Sequence, residues 1–174
     1  MTAIPDSQPT LSIRPATPAD IPSIKSMIHA AYSKYIPRIG RPPAPMLTDY
    51  DALLADATQQ LYVLRASPDD ASAILGSIQL STEADTTMSA AALKINSLVV
   101  DPSAQGRGYG RFLMEFAEGV ARSQGCSAMI LFTNVMMWEN LVLYGKLGFV
   151  ERERKVEDGY ERVYFRKELD YGGK

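Results

Sequence analysis

A short glycine-rich run, QGRGYG at residues 105–110, is the feature of the sequence best suited to bind a ligand. Glycines at alternate positions let the backbone approach a ligand closely, because no Cβ atom stands in the way. An amphipathic segment starts near Arg111, so the run should lead into a helix N-terminus, where free N–H groups and a partial positive charge favour anions. Arg107 and Arg111 add formal positive charge. The run is therefore predicted to bind phosphate, and the competing interpretation is a tight strand-to-helix turn with solvated arginines.

Two common nucleotide-binding loops do not fit this run. A dinucleotide fingerprint would require glycine at position 111, where the chain has Arg111. A Walker loop requires Gly-Lys followed by Ser or Thr, which does not occur in the sequence. Both kinds of site are therefore excluded for residues 105–110.

The run instead resembles the cofactor loop of the GNAT superfamily of acetyl-CoA-dependent N-acetyltransferases, written (Arg/Gln)-x-x-Gly-x-(Gly/Ala). Gln105, Gly108 and Gly110 stand at its defined positions. A second block of the superfamily, Asn...Leu-Tyr-x-Lys-x-Gly-Phe, is similar to Asn134 followed by ENLVLYGKLGF at residues 139–149. The two blocks occur in the order and spacing of the superfamily. The likeness is sharp from residue 93 to residue 149, and the order of elements agrees over about residues 11–169.

The resemblance implies a sheet that splays open between two strands, at 93–100 and 128–132, with the pantetheine arm of the cofactor in the gap. It also implies that the backbone on one side of the gap pairs with the pantetheine amides and that the N–H groups of the glycine loop hold the pyrophosphate. Met137 occupies the place where superfamily members often have a cofactor-binding asparagine, so Asn134 or Asn140 is the candidate for that contact. The implied cofactor-binding residues are Leu98, Val99, Val100, Gln105, Gly106, Arg107, Gly108, Tyr109, Gly110, Arg111, Asn134 and Asn140.

Tyr144 is at the position that the superfamily uses as general acid. The reaction needs a group that is protonated at neutral pH and can donate a proton to a leaving thiolate. A phenol with a reference pKa of about 10, against about 8.5 for a thiol, meets both conditions. By periodicity alone Tyr144 is a core aromatic, one turn from Leu141 and Leu147. The glycine loop favours the catalytic interpretation.

The general base and the acceptor site are less evident. An alkylamine with a reference pKa of about 10.4 must lose a proton, which costs about 4 kcal/mol near neutral pH. Glu83, expected in the connection before the fourth strand, is a candidate base, and so is a relayed water. The segment 34–41 corresponds to the one that covers the acceptor site in the superfamily, and its cations either recognise a carboxylate or phosphate or form a solvated surface. Tyr32 and Arg38 are the acceptor-binding candidates beside Glu83.

Composition narrows the remaining function classes. The 174 residues are 46% hydrophobic, which suits one globular domain, expected at residues 11–170 between a flexible leader at 1–10 and a tail at 171–174. One cysteine and one histidine leave no intrachain disulfide and no cluster that resembles a zinc site, so no metal is expected. A net charge of -2 gives no general attraction for nucleic acid or anionic membranes. With no signal peptide or membrane-spanning run, we expect a cytoplasmic protein.

Apolar periodicity and turn residues predict a mixed α/β sheet with about seven strands and four helices on both faces, a single GNAT-like domain. Thr17 and Asp20 are typical of a helix start. Prolines predict a loop from Ile36 to Met46, and Thr48 is expected to cap a helix that runs to about Ala57. The strands are expected at 11–15, 60–66, 73–80, 93–100, 128–132, 150–155 and 162–169, with a polar connection at 82–89, and further helices at 111–121 and 137–146.

The sequence therefore predicts an N-acetyltransferase that transfers an acetyl group from acetyl-CoA to a primary amine of a small molecule or peptide by direct attack. The alternative is a non-catalytic acyl-CoA sensor or interaction module. Nucleic-acid and membrane partners are not expected, and a homodimer through edge strands is possible in this architecture.

Overall fold

A computed structural model describes residues 10–69, 71–86 and 88–172. Within them the strands are β1 Ser12–Pro15, β2 Gln59–Arg65, β3 Ile74–Asp85, β4 Ala90–Val100, β5 Ala128–Asn134, β6 Val150–Glu157 and β7 Tyr160–Glu168. They form one sheet in the order β1-β2-β3-β4-β5-β7-β6, in which β4 and β5 are parallel and the other described neighbours antiparallel. The predicted α/β class and strand number are confirmed. The predicted leader lies outside the described residues except for Thr10, as do residues 173 and 174 of the predicted tail.

Helices cover both faces of the sheet, as predicted. They are α1 Ile21–Tyr32, α2 Ile36–Ile39, α3 Tyr50–Ala55, α4 Tyr109–Ser123 and α5 Trp138–Lys146. The first and third pack on one face, and α4 and α5 pack on the other. All but the one-turn α2 have at least six residues, which gives the four helices expected from the sequence. No helix among the described residues is both long enough and apolar enough to span a membrane.

Alternation along β2 explains how one sheet serves two cores. Leu61 and Val63 pack with α1, whereas Leu64 packs with the residues of α4 on the opposite face. Ile24 and Ile28 of α1 are almost completely buried, and each such side chain stabilises the fold by about 1.5 to 3 kcal/mol relative to an exposed one.

Asp20, at the start of α1, is buried in a cluster of charges. Its carboxylate accepts hydrogen bonds from Arg14 at 2.9 Å and from Arg65 at 2.6 Å, and the Thr17 N–H donates to it at 2.8 Å. The predicted pairing of Thr17 with Asp20 is confirmed as a capping box. Burial alone would raise the pKa of Asp20, but these hydrogen bonds outweigh it and hold the pKa well below its usual range. Asp20 therefore joins β1, β2 and α1 as a group that is charged at neutral pH.

The segment predicted as a loop from Ile36 to Met46 is partly helical, so that prediction is wrong. It contains α2 and a 3₁₀ turn, Ala44–Leu47, each with a proline in its first turn. A proline there removes an N–H group that has no partner in the helix anyway, so the prolines start these turns and do not break them. Gly40, with φ of 82°, ends α2 in the left-handed conformation.

Two other boundaries differ from the sequence-based expectation. The cap of α3 is Asp49, not Thr48: its carboxylate accepts hydrogen bonds from the N–H groups of Asp51 and Ala52, and the helix ends at Ala55. The polar stretch 82–89 is not simply a connection, because β3 continues to Asp85 and pairs residue by residue with an extended β4. Backbone pairing with a long neighbour has overridden the weak β-propensity of these small polar residues.

Candidate active site

The sheet opens between β4 and β5. The two parallel strands pair from Ala92 with Ala128 to Ile95 with Leu131, and no further pair joins them although β4 runs on to Val100 and β5 to Asn134. The antiparallel register with β3 also shifts at this point. Asn96 is the extra residue of the resulting bulge, which bends β4 away from β5. The predicted splay of the sheet is therefore confirmed.

The glycine loop lies at the outer end of this gap and leads directly into α4. Gly106 and Gly108 have φ of 79° and 84°, which only glycine adopts without strain, and no atom lies within 4 Å of where their Cβ atoms would be. Phe112 donates to the Gly108 carbonyl at 3.0 Å, so the N–H groups of residues 109–111 precede the first hydrogen bond of the helix. The loop thus offers open space and free donors to an anion.

A cleft of about 300 Å³ connects this loop with the exposed side of β4. Lys34, two residues after the end of α1, brings a positive charge to its wall. Gln105 closes the turn by donating to the Val100 carbonyl at 3.2 Å. The lining residues of this outer cleft are Ala31, Tyr32, Lys34, Tyr35, Leu98, Val99, Val100, Gln105, Gly106, Gly108, Tyr109, Gly110, Glu139 and Asn140.

A second cavity of about 200 Å³ lies deeper, at the point where β4 and β5 separate. It shares Tyr32, Leu98 and Asn140 with the outer cleft, so the two spaces are adjacent. Its remaining walls come from β3, β4, β5, β7, α5, the end of α2 and the segment that follows it. We call it the inner cavity; its lining residues are Tyr32, Ile39, Pro43, Ala44, Pro45, Thr48, Gln79, Ile95, Asn96, Ser97, Leu98, Leu131, Phe132, Thr133, Asn134, Met137, Asn140, Tyr144, Tyr160 and Arg162.

Tyr144 lies in the wall of the inner cavity with its ring against Phe149 and Phe165, at centroid distances of 6.0 and 5.7 Å. Burial, with a smaller contribution from the nearby Tyr35, raises the pKa of Tyr144 to about 12. The phenol therefore keeps its proton throughout the physiological range.

The polar side chains that line the inner cavity are hydroxyls, amides and one guanidinium; none of the described lining residues is a carboxylate or an imidazole. The Ser97 hydroxyl is buried there and has no hydrogen-bond partner among the described residues. The Asn140 side-chain amide donates to the Thr133 hydroxyl at 3.3 Å. Arg162 is the single charged residue among the described lining residues. The cavity can hold a small polar molecule, and its own side chains include no ordinary general base.

The segment 36–47 forms a strap over the inner cavity and is fastened to two neighbouring elements through residues 38, 41 and 42. Arg38 makes two 2.9 Å contacts with the Glu139 carboxylate and stacks 3.9 Å from the Trp138 ring centroid, which ties the strap to α5. Arg41 donates to the Asp158 carbonyl at 2.9 Å, and the Tyr160 hydroxyl donates to the Pro42 carbonyl at 2.6 Å. The strap therefore bridges α5 and the β6–β7 hairpin.

The family model of the acetyltransferase (GNAT) domain matches residues 57–151, which include β4, the glycine loop, β5 and α5. The chain belongs to the GNAT acetyltransferase family. This confirms the resemblance drawn from the two sequence blocks.

Two curated relatives align with part of this GNAT protein. An IAA acetyltransferase of Azospirillum brasilense is 39% identical over 59 residues, or 34% of this chain and 39% of that protein. A glucosamine 6-phosphate N-acetyltransferase of Trypanosoma brucei brucei is 36% identical over 84 residues, or 48% of this chain and 55% of that protein. The chain thus spans only about two fifths to just over half the length of these relatives.

Solved GNAT structures share the fold over nearly the whole chain. A chain of the NatC complex bound to Gag peptide and CoA has a TM-score of 0.68 at 19% identity and covers 92% of this chain and 99% of its own. An acetyltransferase of the GNAT family from Staphylococcus aureus Mu50 has a TM-score of 0.69 at 14% identity and covers 92% and 100%. At these identities the likeness concerns the fold.

Most cofactor-binding candidates of the GNAT resemblance meet in the outer cleft. Nine of them line it: Leu98, Val99, Val100, Gln105, Gly106, Gly108, Tyr109, Gly110 and Asn140. Asn134 lines the inner cavity instead. Arg107 lines neither space, and Arg111 lies at a separate depression with Lys146 and Lys167. No group of three or more His, Cys, Asp or Glu side chains in the described chain is arranged to hold a metal ion.

Of the three acceptor-site candidates, one lines the outer cleft and the inner cavity and two line neither space. Tyr32 lines both spaces, whereas Arg38 lines neither and is engaged by Glu139. Glu83 lies in β3, not in a connection, and its carboxylate is 2.7 Å from the Lys94 ammonium, outside the residues that line the inner cavity.

The sequence assigned Lys34 to the acceptor segment 34–41, whereas Lys34 lines the outer cleft, and Arg162, which lines the inner cavity, was not a candidate. The available signal for Arg162 was its alternation with Tyr160 and Tyr164 on one strand. Its pairing with Asn134 depends on β7 inserting beside β5, which the order of strands along the chain does not reveal.

Proposed function

We propose that this protein is an acetyl-CoA-dependent N-acetyltransferase that acts on a small amine, with Tyr144 as the general acid. One observation carries the proposal: the unpaired gap between β4 and β5 has the glycine loop at its outer end and the Tyr144 phenol at its inner end. A ligand that fills the gap would present a phosphate group to the first and a reactive group to the second.

The outer cleft fits coenzyme A. The free N–H groups at the start of α4 and the Lys34 ammonium suit the pyrophosphate, and the two left-handed glycines leave room for it. The backbone of Leu98 and Val100, on the edge of β4 that lacks a neighbouring strand, suits the amides of the pantetheine arm. Asn140 is placed to contact the same arm, because it lines both spaces.

Acetyl-CoA supplies the acetyl group as a thioester. The neutral amine attacks the acetyl carbonyl carbon, a C–N bond forms and the C–S bond breaks. Tyr144 donates its hydroxyl proton to the leaving sulfur, and the proton lost by the nitrogen returns to Tyr144 through water. Because the pKa of Tyr144 is about 12, the phenol is fully protonated before each turnover.

The acceptor must enter as a neutral amine or lose its proton in the site. The inner cavity favours the neutral form in two ways, since burial disfavours an ammonium and no carboxylate among the described lining residues stabilises one. Both effects reduce the cost of about 4 kcal/mol for deprotonating an alkylamine near neutral pH. A dedicated base is therefore not required, and we assign that role to water.

Names of relatives favour nitrogen as the acceptor atom. The Trypanosoma protein is named an N-acetyltransferase of glucosamine 6-phosphate, and it aligns over nearly half of this chain. A primary amine is therefore the first acceptor class to test.

Coenzyme A release from acetyl-CoA in the presence of a panel of primary amines tests the proposal, with the acetylated product identified by mass spectrometry. We expect at least one amine to be acetylated, and Tyr144→Phe to lower kcat by about 10²- to 10⁴-fold while changing the Kd for coenzyme A by less than about threefold. Tyr62→Phe is the matched control, because Tyr62 is half-buried but lines neither space.

The alternative, a non-catalytic acyl-CoA sensor, is favoured by the lack of a carboxylate or imidazole among the described residues of the inner cavity. It predicts tight acetyl-CoA binding with no thiol release from any amine. Full activity of Tyr144→Phe would contradict the assignment of the acid, and tight binding without turnover would favour the sensor.

A further inference from the structure

Arg162 brings a nearly buried guanidinium to the inner cavity. Its side chain is 12% exposed, and the guanidinium lies 4.3 Å from the ring centroid of Phe132, which also lines the cavity. Stacking on an aromatic ring fixes the plane of a guanidinium and leaves its N–H edge free to bind a planar anion. Such a group is costly to bury unless an anion is at hand.

The ion pair of Arg162 with Glu157 does not exhaust its hydrogen-bonding capacity. Its guanidinium donates one hydrogen bond, at 2.9 Å, to Glu157 and lies 3.6 Å from the exposed Asp158 carboxylate, and an arginine has five N–H groups. Glu157 also accepts a hydrogen bond from the Tyr164 hydroxyl and lies 3.0 Å from the Lys155 ammonium, so its charge is balanced without Arg162. Donors therefore remain for a further anion beside these two carboxylates.

The inner cavity has a positively charged side chain in its wall and no negatively charged one among the described lining residues. Apart from Arg162, the described lining residues are uncharged, and most are apolar, aromatic or amide side chains. A substrate with a second ammonium group would find no carboxylate to pair with. A substrate with one negative charge would find one cation in the cavity wall, Arg162.

The strap limits the size of the acceptor. Because Arg38 and Tyr160 fasten it to α5 and to β7, the space of about 200 Å³ beneath it holds a molecule of amino-acid size.

We propose that the acceptor is a small amine that carries a carboxylate, and that Arg162 binds this carboxylate while the amine faces Tyr144. The inference rests on the proposed acetyltransferase function and adds the substrate class. A carboxylate is favoured over a phosphate dianion because the single positive charge of Arg162, already shared with Glu157 and Asp158, does not offset the second charge of a dianion.

The test compares amines that differ only in the anionic group. Glycine, leucine, phenylalanine and β-alanine are each matched with the amide of the same compound and with the amine that lacks the carboxyl group; O-phosphoethanolamine and spermidine complete the panel. We expect kcat/KM for the preferred carboxylate to exceed that of its amide and of its decarboxylated amine by about 10- to 100-fold, mainly through KM. Arg162→Gln should remove this preference, and Arg162→Lys should retain part of it.

Arg154→Gln is the matched control, because Arg154 lies on the neighbouring strand, is exposed and does not line the cavity. It should keep the preference for the carboxylate. If Arg162→Gln does not fold, the comparison of each carboxylate with its amide in the unchanged protein still decides the inference.

Equilibrium binding of the same amines to the CoA-saturated protein separates the two proposals. Absence of turnover with every amine contradicts the acetyltransferase proposal, whereas selective binding of carboxylates that Arg162→Gln abolishes still supports this inference. Equal or better use of the amide, the decarboxylated amine, spermidine or O-phosphoethanolamine overturns it. So does the failure of every carboxylate to bind at about 10 mM.

Discussion

The Tyr32 hydroxyl donates a hydrogen bond to the Leu98 carbonyl oxygen at 3.2 Å. This contact joins the last residue of α1 to the part of β4 that has no strand on its other side. It satisfies a backbone acceptor where the sheet opens and holds the shared wall of the outer cleft and the inner cavity. Burial, followed by the nearby Tyr144, raises the pKa of Tyr32, so the donor stays protonated.

Removal of this hydroxyl should affect stability more than cofactor affinity. We expect Tyr32→Phe to lower the free energy of unfolding by about 1 kcal/mol, because one partly buried hydrogen bond is lost. The Kd for coenzyme A should change less than about threefold, because a carbonyl oxygen has two acceptor positions. Urea unfolding and calorimetric titration measure the two effects. A tenfold loss of affinity would indicate that the hydroxyl itself contacts the cofactor.

Gly108→Ala should weaken both folding and cofactor binding. The left-handed conformation at this residue, with φ of 84°, costs a non-glycine residue about 1 to 2 kcal/mol, and the new methyl group points into open space at the glycine loop. We expect a matching loss in the free energy of unfolding and about tenfold weaker coenzyme A binding.

Gly119→Ala is the control for this substitution. Gly119 is exposed in the interior of α4 and also has open space around it, but its backbone is helical. Alanine should therefore stabilise the protein by about 0.5 to 1 kcal/mol and leave coenzyme A binding unchanged. Equal destabilisation by both variants would contradict the role of the backbone conformation at Gly108.

Asp20 should make stability depend on acid pH. Its pKa in the folded protein is lowered, so its contribution is fully present above the ordinary aspartate pKa of about 4 and is lost as the pH falls below that value. Asp20→Asn should lower the free energy of unfolding at pH 7 by about 3 to 5 kcal/mol, because it leaves two arginines without their shared carboxylate. The measurement is urea unfolding between pH 3 and pH 7.

As the pH is lowered, the free energy of unfolding of Asp20→Asn should fall less steeply than that of the unchanged protein. Asp56→Asn, at an exposed aspartate bonded to Thr58, should have a much smaller effect. Identical pH profiles for Asp20→Asn and the unchanged protein would show that the charge cluster does not control acid stability.

The tie between strap and α5 should matter for the acceptor. Glu139→Gln removes the charge that holds Arg38, so the strap should open more often and KM for the acceptor amine should rise by about three- to tenfold. The free energy of unfolding should fall by less than about 1 kcal/mol, as is typical of an exposed ion pair.

Glu151→Gln breaks a comparable exposed pair, with Arg154 at 2.6 Å, far from the strap in sequence and outside both spaces. It should leave the acceptor KM as it is. A similar rise in KM for both variants would point to general electrostatics and not to the strap.

The raised pKa of Tyr144 gives a prediction for alkaline pH. A general acid loses activity as the pH rises through its pKa, and a pKa of about 12 places that loss above the range reached by an ordinary tyrosine. We therefore expect no fall in kcat between about pH 9 and about pH 10.5, because Tyr144 stays protonated throughout this range. A fall in kcat with a midpoint near 10 would contradict the burial of this phenol.

Local sequence signals were enough for the parts of the site formed by neighbouring residues. The glycines at 106 and 108 require positive φ, and the start of α4 follows them directly, so the loop could be predicted from six residues. Strand alternation and turn chemistry likewise predicted the β6–β7 hairpin, where Asp158 and Gly159 both have positive φ.

Residues brought together from distant parts of the chain could not be predicted in the same way. Arg162 lines the inner cavity because β7 lies between β5 and β6. Arg38 does not line the cavity, because it pairs with Glu139, 101 positions further along the chain. The prolines of the strap predict a loop, because proline breaks the interior of a helix. The strap nevertheless contains helical turns, because its prolines lie in first turns, which accept them.

A ¹⁵N NMR titration of the folded protein with coenzyme A tests most directly whether the glycine loop and the open edge of β4 hold the cofactor. We expect the amide signals of Gly106, Gly108, Gly110, Leu98 and Val100 to shift and to saturate at one equivalent, while those of the exposed β6 strand stay in place. Unchanged loop signals at millimolar coenzyme A, or shifts confined to another surface, would contradict it.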